Sequence, residues 1–122
     1  MDNLVITQRY NSPFVSFNSQ NGDLRIEGRA HPENAENFFA PLFDWVDEYL
    51  KNPHEFTKFY INLEYFNSVA SKSILKMLSD IIDIIDKTKM EIIWYYYDDD
   101  SLEVAEDFQV ILGTKFTVVS AL

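Results

Sequence analysis

A chain of 122 residues, 47% hydrophobic and 16% aromatic, is long enough to bury one full core and too short for two domains. Twenty Asp and Glu against ten Lys and Arg leave a net charge of -10, which repels nucleic acid and anionic lipid and argues against both as partners. The absence of cysteine excludes disulfides, thiolate metal sites and cysteine nucleophiles.

No apolar run approaches the roughly 20 residues of a membrane span. Met1-Asp2-Asn3-Leu4 carries an acid where a secretion signal is basic, so the expectation is a cytoplasmic protein without membrane attachment. No repeat, linker or low-complexity block interrupts the chain, which predicts a single domain over residues 1–122.

Short alternating segments at Leu4 to Tyr10, Phe14 to Asn18 and Leu24 to Gly28 predict three strands, the last two joined by a turn at Asn21-Gly22. Pro32-Glu33-Asn34 then opens a helical pattern with Phe38, Leu42, Trp45, Val46 and Tyr49 on one face, running to near Asn52-Pro53. Proline suits a first helical turn, whereas Pro41 inside the pattern predicts a kink or a local change of geometry. Phe56 to Phe66 predicts a buried strand, with Phe59, Ile61, Leu63 and Tyr65 alternating in phase. A second helix is expected over Val69 to Lys87, a strand over Met90 to Tyr97, a third helix over Ser101 to Leu112 and a last strand over Lys115 to Val119. The order βββαβαβαβ is best satisfied by an α/β fold: one mixed sheet with three packed helices, the helix-linked strands parallel.

Three places invite a chemical reading. At Tyr65-Phe66-Asn67-Ser68 a buried strand gives way to a helix, so the Ser68 hydroxyl lies beside free helix N–H groups and the positive end of a dipole. Two readings fit it: an ordinary N-cap, or a hydroxyl whose phosphate would be locally tolerated. The acids Asp98, Asp99, Asp100, Glu103, Glu106 and Asp107 lack the alternating ligands and central glycine of a calcium loop and sit where helix starts favour acids. Arg29, beside Gly28 and just before a helix, either meets an anion or makes a surface salt bridge. His31 and His54 lie in loops without the spacing of a zinc site or an activated nucleophile, and the three scattered glycines form no phosphate-cradling pattern, so no cofactor is expected.

Three blocks in order carry a family resemblance: Gly28-Arg29-Ala30-His31-Pro32-Glu33-Asn34 with Phe38-Phe39, Pro41-Leu42, Trp45 and Tyr49-Leu50; Leu63-Glu64-Tyr65-Phe66-Asn67-Ser68; and Trp94-Tyr95-Tyr96 leading to Glu106-Asp107-Phe108. Over nearly the whole chain this resembles the SiaC-type bacterial regulatory phosphoproteins. The resemblance implies a STAS-like architecture, akin to anti-sigma-factor antagonists, and a non-enzymatic role in partner switching. In that scheme a serine/threonine kinase phosphorylates the protein and a PP2C-type phosphatase reverses it. The unmodified form activates a diguanylate cyclase, and with it cyclic-di-GMP and biofilm control. The family's acceptor position falls on Ser68, with Ser where Thr is usual and Val69 and Ala70 where further hydroxyls are common. Arg29, Glu33, Asn34, Tyr65 and Asn67 become the expected partner-binding neighbours. The rival expectations are a constitutive adaptor in which Ser68 is only a cap, and a metal-dependent enzyme built on Asp98 to Asp107.

Overall fold

The computed structural model describes all residues from Met1 to Leu122. Its elements in chain order are β1 (Leu4–Ile6), β2 (Phe14–Asn18), β3 (Asp23–Ala30), α1 (Ala35–Tyr49), β4 (Thr57–Phe66), α2 (Ser68–Ile84), a single 3-10 turn (Lys87–Lys89), β5 (Met90–Tyr96), α3 (Asp99–Leu112) and β6 (Thr117–Ser120). The six strands form one sheet in the order of the chain; β1, β2 and β3 pair antiparallel, and β3 to β6 run parallel. This is the expected mixed sheet with three helices.

Alternation decides which sheet face is covered. Phe17, Leu24, Ile26, Phe59, Ile61, Leu63, Ile92 and Trp94 are buried and join one core cluster with Leu42, Val46, Ile74, Met77, Leu78 and Ile81 from the helices. Neighbouring helices also touch, α1 with α2 and α2 with α3, so all three lie on that face. Burying a side chain of this size is worth about 1.5 to 3 kcal/mol, so the inner face supplies most of the drive to fold. No helix is long and apolar enough to cross a membrane.

Several boundaries differ from the sequence expectation for identifiable reasons. β1 stops at Ile6 because β2 offers partners only from Val15 to Phe17. Pro32 and Glu33 lie before α1 rather than in its first turn: Asn34 is the N-cap, its side chain accepting the Asn37 N–H at 3.1 Å. The helix continues through Pro41, whose exposed position leaves the Asn37 carbonyl, deprived of its donor, open to water. α3 begins at Asp99 instead of Ser101, because Asp98 caps it by accepting the Ser101 N–H at 2.8 Å. Ser101 is buried, its hydroxyl accepting from the Trp94 indole N–H at 3.4 Å.

The most consequential difference is Tyr65. It was expected in phase with the buried residues of β4, yet it is 45% exposed. The β3–β4 register shifts between Gly28 and Arg29, so that Gly28 opposes Leu63 but Arg29 opposes Tyr65. Glu64 is the extra residue of a β-bulge, and beyond it the faces exchange: Tyr65 turns out and Phe66 packs on the core. Gly28 permits the bulge with φ of 113°. A Cβ there would also lie 2.9 Å from the Gln8 side chain, which can move aside. Gly28→Ala is therefore expected to cost about 1 to 3 kcal/mol, mostly backbone strain. In chemical denaturation, adding Gln8→Ala should recover only a small part of that loss; full recovery would place the cost in the contact instead.

Candidate functional site

The carboxyl ends of β3, β4 and β5 each feed a helix, so the N-termini of α1, α2 and α3 gather at one edge of the sheet. Each is capped from its own sequence, by Asn34, Asn67 and Asp98. In α2 the cap is Asn67, not Ser68: the Asn67 side chain accepts the Ala70 N–H at 2.9 Å, and its backbone N–H reaches the Ala30 carbonyl at 3.1 Å. Ser68 is the first helical residue, exposed, with no hydrogen-bonding duty for its hydroxyl among the side-chain bonds of the helix start. The capping reading of Ser68 is thereby corrected. Two substitutions separate the roles: Asn67→Ala should cost about 1 kcal/mol of stability, whereas Ser68→Ala should cost less than about 0.5 kcal/mol. Thermal melts of the two variants check the order.

Around Ser68 the bulge assembles a small surface. The Arg29 guanidinium lies 5.0 Å from the Tyr65 ring centroid and 3.7 Å from a Glu64 carboxylate oxygen. The His31 ring meets Tyr65 edge-on at 5.5 Å. Of the two readings of Arg29, the structure gives a long, exposed salt bridge, worth little by itself, plus a cation–π contact. Glu33 is exposed in the loop before α1, and Asn34 is engaged as its cap. The structure thus brings Arg29, Tyr65, Asn67 and Ser68 to the strand end and places Glu33 and Asn34 at the neighbouring helix start. Val69, 51% exposed, adds an apolar neighbour that the sequence pattern did not single out.

A groove of about 240 Å³ adjoins this surface, lined by Glu64, Tyr65 and Phe66 on one side and Asp98, Asp100, Ser101 and Val104 on the other. It joins segments far apart in sequence. Tyr97 donates to the Asn62 side-chain oxygen at 2.5 Å. Burial, reinforced by the carboxylates of Glu64 and Glu27, pushes the Tyr97 phenol above its usual range, so it remains a neutral donor at any physiological pH. The remaining acids are ordinary helix residues: Asp99 and Asp100 occupy the first turn of α3, and Glu103, Glu106 and Asp107 are exposed along it. No three His, Asp or Glu side chains converge as metal ligands would. His54 is a turn residue, its ring nitrogen facing the backbone of Phe56.

Comparison with known proteins adds four findings. The profile of the SiaC family regulatory phosphoproteins matches residues 6–121. An uncharacterised protein of Pseudomonas aeruginosa strain UCBPP-PA14 is 26% identical over 125 residues, covering 97% of this chain and 96% of the relative. Among solved structures, SiaC of Pseudomonas aeruginosa superposes with a TM-score of 0.83 at 24% identity, covering 98% of this chain and 97% of that one. A crystal structure of the diguanylate cyclase SiaD in complex with its activator SiaC, from the same organism, superposes with a TM-score of 0.86 at 22% identity, covering 96% and 98%. The structural likenesses establish a shared fold.

Proposed function

Because the chain belongs to the SiaC family of regulatory phosphoproteins, we propose that it is the switch component of a cytoplasmic partner-switching module and catalyses no reaction itself. Its unmodified form docks on a diguanylate cyclase and activates it; a serine/threonine kinase adds phosphate to Ser68, and a PP2C-type phosphatase removes it. The observation that carries the reading is the division of labour at the start of α2, where Asn67 holds the cap and Ser68 stands exposed beside it. A hydroxyl that does no structural work can take a phosphate at no cost to the fold, and the helix dipole favours the added charge. Tyr65 and Val69, both exposed large side chains flanking Ser68, supply the apolar contact a docking surface needs. Arg29, Glu33, Asn34 and Asn67 form its polar surround.

The assignment is tested by incubating the protein with its cognate kinase and magnesium ATP and weighing the intact chain. One phosphate is expected on the unaltered protein and none on Ser68→Ala. Undiminished phosphate on Ser68→Ala, for instance carried by Ser71, would overturn the site.

A further inference from the structure

The outer face of the sheet has no helical cover. Parallel sheets are ordinarily buried on both faces, yet all three crossover helices of β3 to β6 lie on one side. The bare side is not a plain solvated surface. Ile93 is 7% exposed and is the one buried hydrophobic residue outside the core cluster, and Phe14, Tyr60, Tyr95 and Val119 share its face through the strand register. Tyrosine and arginine are the residues that interfaces favour, and here Arg25 stacks over Tyr60 at 3.8 Å.

The charges on this face are patterned. Outward residues along β3 are Asp23, Arg25, Glu27 and Arg29, alternating in sign; along β4 they run Lys58, Tyr60, Asn62, Glu64. Reversing either series gives its complement. When a second copy is laid face to face with its strands antiparallel, β3 over β3, Arg25 lies against Glu27 of the second copy and Asp23 against Arg29. On β4 the same operation sets Lys58 against Glu64 and Tyr60 against Asn62, and on β5 it sets Ile93 against Tyr95. A two-fold axis lying between the sheets, across the strands, generates every one of these pairs twice, which is the signature of an isologous contact.

We propose that this open sheet face is a self-association surface on which two copies of the chain stack through that two-fold. Size and charge both favour a second copy. With strands about 4.8 Å apart and about 3.3 Å per residue, the face measures about 550 Å² per copy, so a dimer buries about 1,100 Å², enough for a reversible contact and short of an obligate one. Stacking also turns the acidic helical layers outward, with Asp47 and Glu48 on α1, Asp83 on α2 and Glu106 and Asp107 on α3 exposed on the far sides. Sheets pack about 10 Å apart with each helical layer about 10 Å beyond, so these charges are separated by well over the screening length of about 8 Å at physiological salt.

Sedimentation equilibrium of the purified chain, from about 10 to 500 μM, tests the proposal. A monomer–dimer equilibrium is expected, weakened at least about tenfold by Arg25→Glu and restored by the charge swap Arg25→Glu with Glu27→Arg. Tyr95→Ala, which changes no charge, should also weaken it, and circular dichroism confirms that each variant is folded. A chain that stays monomeric throughout the range overturns the proposal and leaves the face to a different protein. A dimer indifferent to Arg25→Glu and Tyr95→Ala overturns it too, and moves the contact elsewhere, such as the free edge of β6.

Discussion

Phosphorylation of Ser68 is expected to weaken binding to the cognate diguanylate cyclase by about 100-fold or more, about 3 kcal/mol, while leaving the fold unchanged. The asymmetry follows from the two environments the phosphate would experience. In the free protein it stands in water at the first residue of α2, close to the positive end of the helix dipole, and displaces no hydrogen bond because Asn67 makes the cap. In the docked state the same group would be pressed between Tyr65, Val69 and the partner, where an unpaired dianion costs several kcal/mol to desolvate. Calorimetric titration of the cyclase with unmodified and kinase-modified protein measures the difference, with circular dichroism for the fold. Ser68→Asp is a poor substitute, since it carries less charge and fewer acceptor oxygens. Ser68→Ala should bind like the unmodified form. Equal affinities for the two forms would remove the switch and leave a constitutive adaptor.

The largest effect on stability is expected at Trp94. Its ring is 1% exposed and meets Phe66, Phe108 and Phe116 at centroid distances of 5.5 to 6.2 Å. Trp94→Ala should cost about 3 to 5 kcal/mol, a large part of the roughly 5 to 15 kcal/mol that holds a domain of this kind together. For a chain of this length that lowers the melting temperature by about 10 to 20 °C. Because Trp94 supports Phe66 at the end of β4 and holds the Ser101 hydroxyl in α3, the groove beside Ser68 should loosen as well. Trp94→Phe, which keeps most of the ring contacts, should lose distinctly less. A fall of under about 5 °C for the alanine variant would show that the neighbouring rings can close the cavity.

The periodicities that made the fold readable are those set by the core. Leu42, Trp45, Val46 and Tyr49 repeat at helical spacing because α1 buries a single stripe, and Phe59, Ile61 and Leu63 alternate because β4 lies over that stripe. The same logic misplaced Tyr65, since a bulge costs one residue of phase and nothing in Leu63-Glu64-Tyr65-Phe66 announces it. The available signal was on the partner strand: a glycine inside the strand pattern at Gly28 marks a bulge or a close approach. Cap identities were hidden for a different reason. Asn67 and Ser68 are both good capping residues, and only the hydrogen bond to Ala70 distinguishes them. Convergence of Glu64 and Tyr65 with Asp98 and Asp100 was not legible at all, because it depends on β4 and β5 ending side by side.

Strand order has its own bearing on how the molecule comes into being. The sheet runs β1 through β6 in the order in which the chain is written. From β2 onward, each strand therefore finds a neighbour among residues already synthesised. Pairing partners in the parallel half still lie a whole crossover apart, as Asp23 and Lys58 or Ile93 and Thr117 do, so each of these pairings must first close a long loop and forms more slowly than the β2–β3 hairpin. On the ribosome, the sheet can grow one edge at a time, from the β2–β3 hairpin outward. Its growing edge is exposed at each stage, so the hazard for a nascent chain lies in that edge meeting another one before the next helix and strand arrive to cover it.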